Sequence, residues 1–196
     1  AATNDAQIAA ALHALEQTVP LGATDMSAAL RAALDAFDGT HAKSILYVGD
    51  GMSAANLLQS EELQGLLREL REKQVAVHSY AVGPQTDLRL LGCLGQFTGG
   101  VVLFDHADDE RDDPARIGRQ LASAAHAPIL YPSAVDMAEV GSNLLPRVPL
   151  PRRTDRATVY LGKGAPAQAV TISAPGSEYK IDVADAADRN GTQEPL

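Results

Sequence analysis

The chain has 196 residues, 45% of them hydrophobic, enough for one domain of ordinary size with its own core and a smaller appendage. With 25 acidic against 16 basic side chains the net charge is −9, and no basic stripe offers itself to phosphates, so nucleic acid is excluded as a partner. No apolar run approaches the ~20 residues of a spanning helix, so membrane insertion is not expected, and the single cysteine, Cys93, rules out a disulfide framework or a thiolate metal site.

Asp5 to Gln17 carries Ile8, Leu12 and Leu15 on one face and reads as a modest amphipathic helix, broken by Pro20 and Gly22. A second helix comes next, with Leu30, Ala33, Leu34 and Phe37 at helical spacing. Either Thr24 or Asp25 can cap it, since both side chains carry an oxygen that accepts from the free N–H groups of a first turn. Ile45 to Val48 is a short apolar run that reads as a strand buried on both faces. It ends in Gly49-Asp50-Gly51, which presents the Asp50 carboxylate at the carboxyl end of the strand, where open α/β sheets place their ligands. Taken alone, Asp50 is a weak signal and reads first as a turn-former that caps the next helix.

Glu61 to Lys73, with Leu63, Leu66, Leu67 and Leu70, predicts a helix with one buried stripe. Val75 to Val82 is a strand, Leu88 to Phe97 a helix stopped by Gly99-Gly100, and Val101 to Phe104 another strand. Strands alternating with helices over short joins imply right-handed parallel crossovers and a doubly wound sheet. Asp105 to Asp113 is a charge run without the ligand spacing or glycine of a calcium loop, and reads as solvated. Pro114 opens a helix that runs to His126 with Ile117, Leu121 and Ala125 inward. From Ala127 onward prolines punctuate the β-prone segments Ile129 to Tyr131, Ala157 to Leu161, Ala169 to Ser173 and Tyr179 to Val183, the pattern of a small antiparallel sheet. The division is therefore an α/β domain over 1–126, a β-rich extension over 127–185 and a polar tail over 186–196.

His13, His41, His78, His106 and His126 fall on separate elements with no metal-ligand spacing. Gly49-x-Gly51-x-Ser53 is neither a nucleophile elbow nor a dinucleotide loop, and Cys93 sits mid-helix among leucines, expected to be buried and inert. Catalysis is not expected. A Mg²⁺-dependent hydrolase built on Asp50 is the weaker alternative, for want of a base, nucleophile or phosphate cradle nearby.

Four landmarks in order carry a family resemblance: Leu21-Gly22-Ala23-Thr24-Asp25-Met26, Ile45 to Gly51, Val77 to Gly83, and Phe97-Thr98-Gly99-Gly100-Val101-Val102. Over roughly residues 5 to 126 the chain resembles a von Willebrand factor type A domain. The resemblance implies a doubly wound, mainly parallel sheet and a metal-ion-dependent adhesion site, at which Mg²⁺ is held by an Asp-x-Ser-x-Ser motif, a threonine and an aspartate. Thr24 and Asp50 stand at the last two positions. No Asp-x-Ser-x-Ser precedes Thr24, so the domain is expected to be N-terminally incomplete and to hold Mg²⁺ weakly; a structural scaffold without a functional metal is the alternative. The implied partner is a protein that presents a carboxylate. The segment after His126, with Leu144-Leu145-Pro146 and Arg156 to Gly162, resembles the region C-terminal to this domain in bacterial proteins that join it to an inter-α-trypsin-inhibitor-type module, which implies secretion or the cell envelope. The strand of Leu46 and Val48 should then have an open edge, covered either by the segment from Ala157 to Val183 or by a second copy of the chain.

Overall fold

A computed structural model describes residues 5–19, 22–38, 42–104, 113–136, 144–162 and 169–182. The charge run over 105–112 and the tail beyond 182 lie outside the described residues, as do His41 and His106. The elements in chain order are α1 (Asp5–Glu16), α2 (Met26–Asp35), β1 (Lys43–Gly49), α3 (Ser60–Glu72), β2 (Val75–Ala81), α4 (Leu88–Thr98), β3 (Val102–Phe104), α5 (Pro114–His126), β4 (Ile129–Leu130), β5 (Ala134–Asp136), β6 (Arg152–Arg153), β7 (Ala169–Ala174) and β8 (Ser177–Asp182).

β1, β2 and β3 form a parallel sheet in that order, with Ile45 opposite Val77 and Ser79 opposite Val102. This is the doubly wound α/β arrangement that the alternation of strands and helices predicts. One face carries the main core: Met26, Leu30 and Leu34 of α2, Leu66 and Leu70 of α3, and Leu90, Leu91 and Leu94 of α4 close over Val75, Val77 and Ala81. Each fully buried leucine contributes up to ~1.5–3 kcal/mol before ordering costs. The other face of β2 is covered by α5, through Ile117, Leu121 and Ala124. Ala124, rather than Ala125, completes that stripe.

Thr98-Gly99-Gly100 has a physical reason to stand at the end of α4. The Val77 N–H, below the end of the β2–β3 ladder, donates to Thr98 Oγ1 at 2.9 Å, and the same hydroxyl donates to Leu94 O at 2.6 Å. Gly99 ends the helix with φ of 84°. At Gly100 a Cβ would stand 1.7 Å from Val77 O, so no other residue fits there.

Two expectations are corrected. β1 is covered on one face only among the described residues: Ile45 and Tyr47 pack against the core, whereas Leu46 and Val48 remain 52% and 62% exposed, because α5 packs chiefly on β2. An apolar run signals both faces only where helices stand on both sides. Nor do the described residues of the segment from Ala157 to Val183 pair with the β1 edge. Its strands β7 and β8 pair with each other and with β5 as a separate antiparallel sheet, and residues 157–160 are irregular. Among the described residues β1 pairs with β2 alone. The stripe Ile8, Leu12 and Leu15 of α1 is likewise exposed.

The extension is fastened to the amino end of the parallel sheet by one buried cation. Arg153 donates from Nη1 to Gly99 O at 2.8 Å and from Nη2 to Ala124 O at 3.0 Å, and its Nε and Nη2 engage Asp155 at 2.8 and 2.6 Å. It thereby satisfies carbonyls at the C-termini of α4 and α5, where the helix dipoles favour positive charge. Tyr131 adds a hydroxyl bond to Thr98 O at 3.0 Å, and its own ionisation is pushed up to about 12 by burial.

Candidate functional site

The opposite, carboxyl end of the sheet is built from the loops that leave β1 and β2 and the loop that enters α2. Asp25 takes the N-cap of α2, its Oδ1 accepting from Ala28 N at 2.9 Å. Thr24 is therefore released from the capping role. Its hydroxyl is exposed and makes no hydrogen bond to a described residue, while its backbone carbonyl accepts from Ala55 N at 3.0 Å. A second bond joins the same two loops, from Met26 N to Ser53 Oγ at 3.1 Å, and Ser53 in turn donates to Asn56 O at 2.6 Å. Thr24 and Asp50 are thus brought onto adjoining, cross-linked loops.

Asp50 is a turn carboxylate as well as a strand-end acid. Its Oδ1 accepts from Met52 N at 2.9 Å, and its Oδ2 makes no hydrogen bond to a described residue. Its backbone carbonyl accepts from Asp87 N at 2.7 Å, which ties the β1 loop to the start of α4. Gly51 is required by this turn: its φ is +77°, and a Cβ would lie 2.8 Å from Leu91 Cγ. Asp87 caps α4 through Leu90 N at 2.9 Å.

Beneath the loop lies Tyr47, whose hydroxyl accepts from Gly51 N at 3.0 Å. Burial raises its pKa, the Gly51 bond opposes that, and the nearby charge of Asp50 raises it further. It stays a neutral phenol that props the Asp50 turn. Tyr47, Ser53 and Asp87 were invisible as site residues in the sequence. Tyr47 reads only as a strand aromatic, and the Ser53 bond spans 27 positions of chain.

Thr24 and Asp50 supply a hydroxyl and a carboxylate oxygen, the hard donors that Mg²⁺ selects. Two such ligands leave most of an octahedral shell to water. Among the described residues no three His, Cys, Asp or Glu side chains converge on a metal-sized site. The donor set therefore fits a loosely held, water-rich cation. Beside the turn a groove of ≈ 400 Å³ opens, lined by Met52, Ser53, Leu57, Leu58, Leu63, Asp87, Arg89, Leu90 and Cys93, with Cys93 half-buried rather than enclosed.

A parallel sheet wrapped by helices defines a doubly wound α/β protein, and the loops at the carboxyl end of its strands, which carry Thr24 and Asp50, are where such sheets place a ligand. The von Willebrand factor type A domain model matches residues 1–104, more than half of the chain, and the protein belongs to that family. A search of curated proteins finds no match. Domains of this family mediate protein interactions, often with a metal. No helix among the described residues is long and apolar enough to cross a membrane.

Proposed function

We propose that the protein is an interaction module in which Thr24 and Asp50 hold a Mg²⁺ that meets an acidic group of a bound protein. The observation that carries this reading is the division of labour at the α2 entry: Asp25 is the cap, which leaves the Thr24 hydroxyl without a hydrogen bond to any described residue, on a loop bonded to that of Asp50. When bound, the cation supplies a hard positive centre that can take a partner's carboxylate oxygen in place of a water. Asp50 positions that centre through its second oxygen while its first holds the turn, and Tyr47 keeps the turn in place.

The proposed role is binding rather than catalysis. Among the described histidines, His78 is buried on β2, which α5 covers, and His13 and His126 are exposed on α1 and α5. Residence in a bacterial envelope or outside the cell belongs to the same reading and rests on the resemblance of the segment Arg156 to Gly162. Association of two copies along β1, whose Leu46 and Val48 are exposed, is a further part of it and is checked by sedimentation.

Calorimetric titration with MgCl₂ tests the metal reading. Weak uptake by the native chain, lost in both Thr24→Ala and Asp50→Ala, is the expected result. Uptake by the two variants equal to that of the native chain would sink the assignment and leave a structural scaffold without a functional metal.

A further inference from the structure

The hairpin of β7 and β8 leaves β8 at the rim of its sheet. All six residues of β8 are exposed, and among the described residues it pairs with β7 alone, so one row of its N–H and C=O groups faces outward. Apolar and charged residues alternate along the strand. Tyr179 and Ile181 stand opposite Ile172 and Val170, on the face that overhangs a groove of ≈ 520 Å³ shared with Leu130, and remain 47% and 44% exposed. On the other face Glu178, Lys180 and Asp182 alternate in sign. Their β7 neighbours are Ser173, Thr171 and Ala169, none of them charged, and no ion pair joins the three to a described residue.

We infer that β8 pairs antiparallel with β8 of a second copy of this chain, about a two-fold axis at Tyr179. In this register Glu178 of each copy faces Lys180 of the other, Tyr179 faces Tyr179, and Ser177 faces Ile181. Residues directly opposite share a face, so two pairs of opposite charge close one face while the tyrosines and Ile181 carry the apolar face across the axis. Asp182 falls opposite Gly176 and meets no like charge. Charge complementarity selects both the partner and the register. An axis at Glu178 would set Glu178 against itself, and an axis at Lys180 would set Lys180 against itself and Glu178 against Asp182. An axis at Ile181 pairs Lys180 with Asp182 but leaves Tyr179 and Glu178 opposite positions beyond the end of β8. A lone charge on an edge strand repels its own copy and so guards the edge, whereas Glu178 and Lys180, set on either side of the axis, attract one. This contact is separate from the β1 edge and does not depend on the cation site.

Sedimentation equilibrium and cysteine crosslinking of the full chain test it. The native chain should form a dimer whose dissociation constant rises about tenfold or more in Glu178→Lys and in Lys180→Glu, because each change sets two pairs of like charge across the axis. The double variant, Glu178→Lys with Lys180→Glu, restores opposite charges and should return to the native constant. Tyr179→Cys, made together with Cys93→Ser, should form an intermolecular disulfide on mild oxidation, since opposite residues of antiparallel strands bring their Cα atoms within reach of one. The β8 positions are exposed, so these variants should keep the native fold, which circular dichroism checks. A native chain that stays monomeric, a dimer indifferent to both charge reversals, or a double variant no tighter than the single ones overturns the inference. Crosslinking through Ile181→Cys in place of Tyr179→Cys overturns the register and with it the charge argument.

Discussion

The two ends of the parallel sheet show the same helix electrostatics put to opposite use. At the amino end the C-termini of α4 and α5 meet the buried guanidinium of Arg153, and every donor direction used there is matched within the chain. At the carboxyl end the N-termini of α2 and α4 are capped by Asp25 and Asp87, after which the Thr24 hydroxyl and one oxygen of Asp50 are left over. One end is closed and holds the extension in place. The other has two hard oxygens without a hydrogen bond to a described residue and a groove beside them, and the proposed binding role lies there.

The largest effect should come from opening the closed end. Arg153→Met leaves Gly99 O and Ala124 O without their buried donor and should cost about 3–5 kcal/mol in urea denaturation. A loss below ~1 kcal/mol would mean that the guanidinium is not what fastens the extension.

Next comes acid. His78 is fully buried, and neither ring nitrogen has a hydrogen-bond partner among the described residues. Burial first, then the cations Arg153 and Arg156, lowers its pKa to about 4, with Asp155 opposing. The unfolded chain therefore takes up the proton near 6.5 and the folded one only near 4, so stability falls as pH drops through that window and the loss is complete below it. The amount is on the order of 3 kcal/mol. Asp155, held low chiefly by its hydrogen bonds from Arg153, adds its loss below the ordinary carboxylate range. Denaturation midpoints between pH 7 and pH 4, roughly the interval that the linkage argument spans, should slope in the native chain and flatten in His78→Gln; equal slopes would contradict the assignment.

Smaller effects are expected at the open end. Gly51→Ala forces a side chain into a φ of +77° and against Leu91, which should cost ~1–3 kcal/mol and loosen the Asp50 turn, visible as faster amide exchange at Met52. Tyr47→Phe removes only the acceptor of Gly51 N, worth ~1 kcal/mol, and should lower Mg²⁺ uptake more than it lowers stability. An unchanged titration in Tyr47→Phe would show that the turn needs no such prop.

The sequence disclosed most of the parallel layer, because its signals are local. Leucines at helical spacing mark α3, the run Ile45 to Val48 marks β1, and Pro114 marks the first turn of α5. Coverage is not local, and there the pattern misleads: whether Leu46 and Val48 are buried depends on which helix stands above them, and α5 stands above β2. In the extension, β6 consists of Arg152 and Arg153, which carry no β signal, and its role comes from bonds to Gly99 and Ala124, far away in sequence. Thr24 and Asp50 were legible as candidates. That Asp25 rather than Thr24 caps α2 required coordinates, since both residues suit the position equally.

The proposed cation site lies at the open end, at Thr24 and Asp50. Titration with Mn²⁺ monitored by two-dimensional NMR tests it most directly, because a paramagnetic ion broadens the amide signals closest to it. The amides of Ala23 to Asp25 and Asp50 to Ser53 should fade first in the native chain and persist in Asp50→Ala. Broadening that begins instead at acids remote from these loops, or that is undiminished in Asp50→Ala, would contradict it.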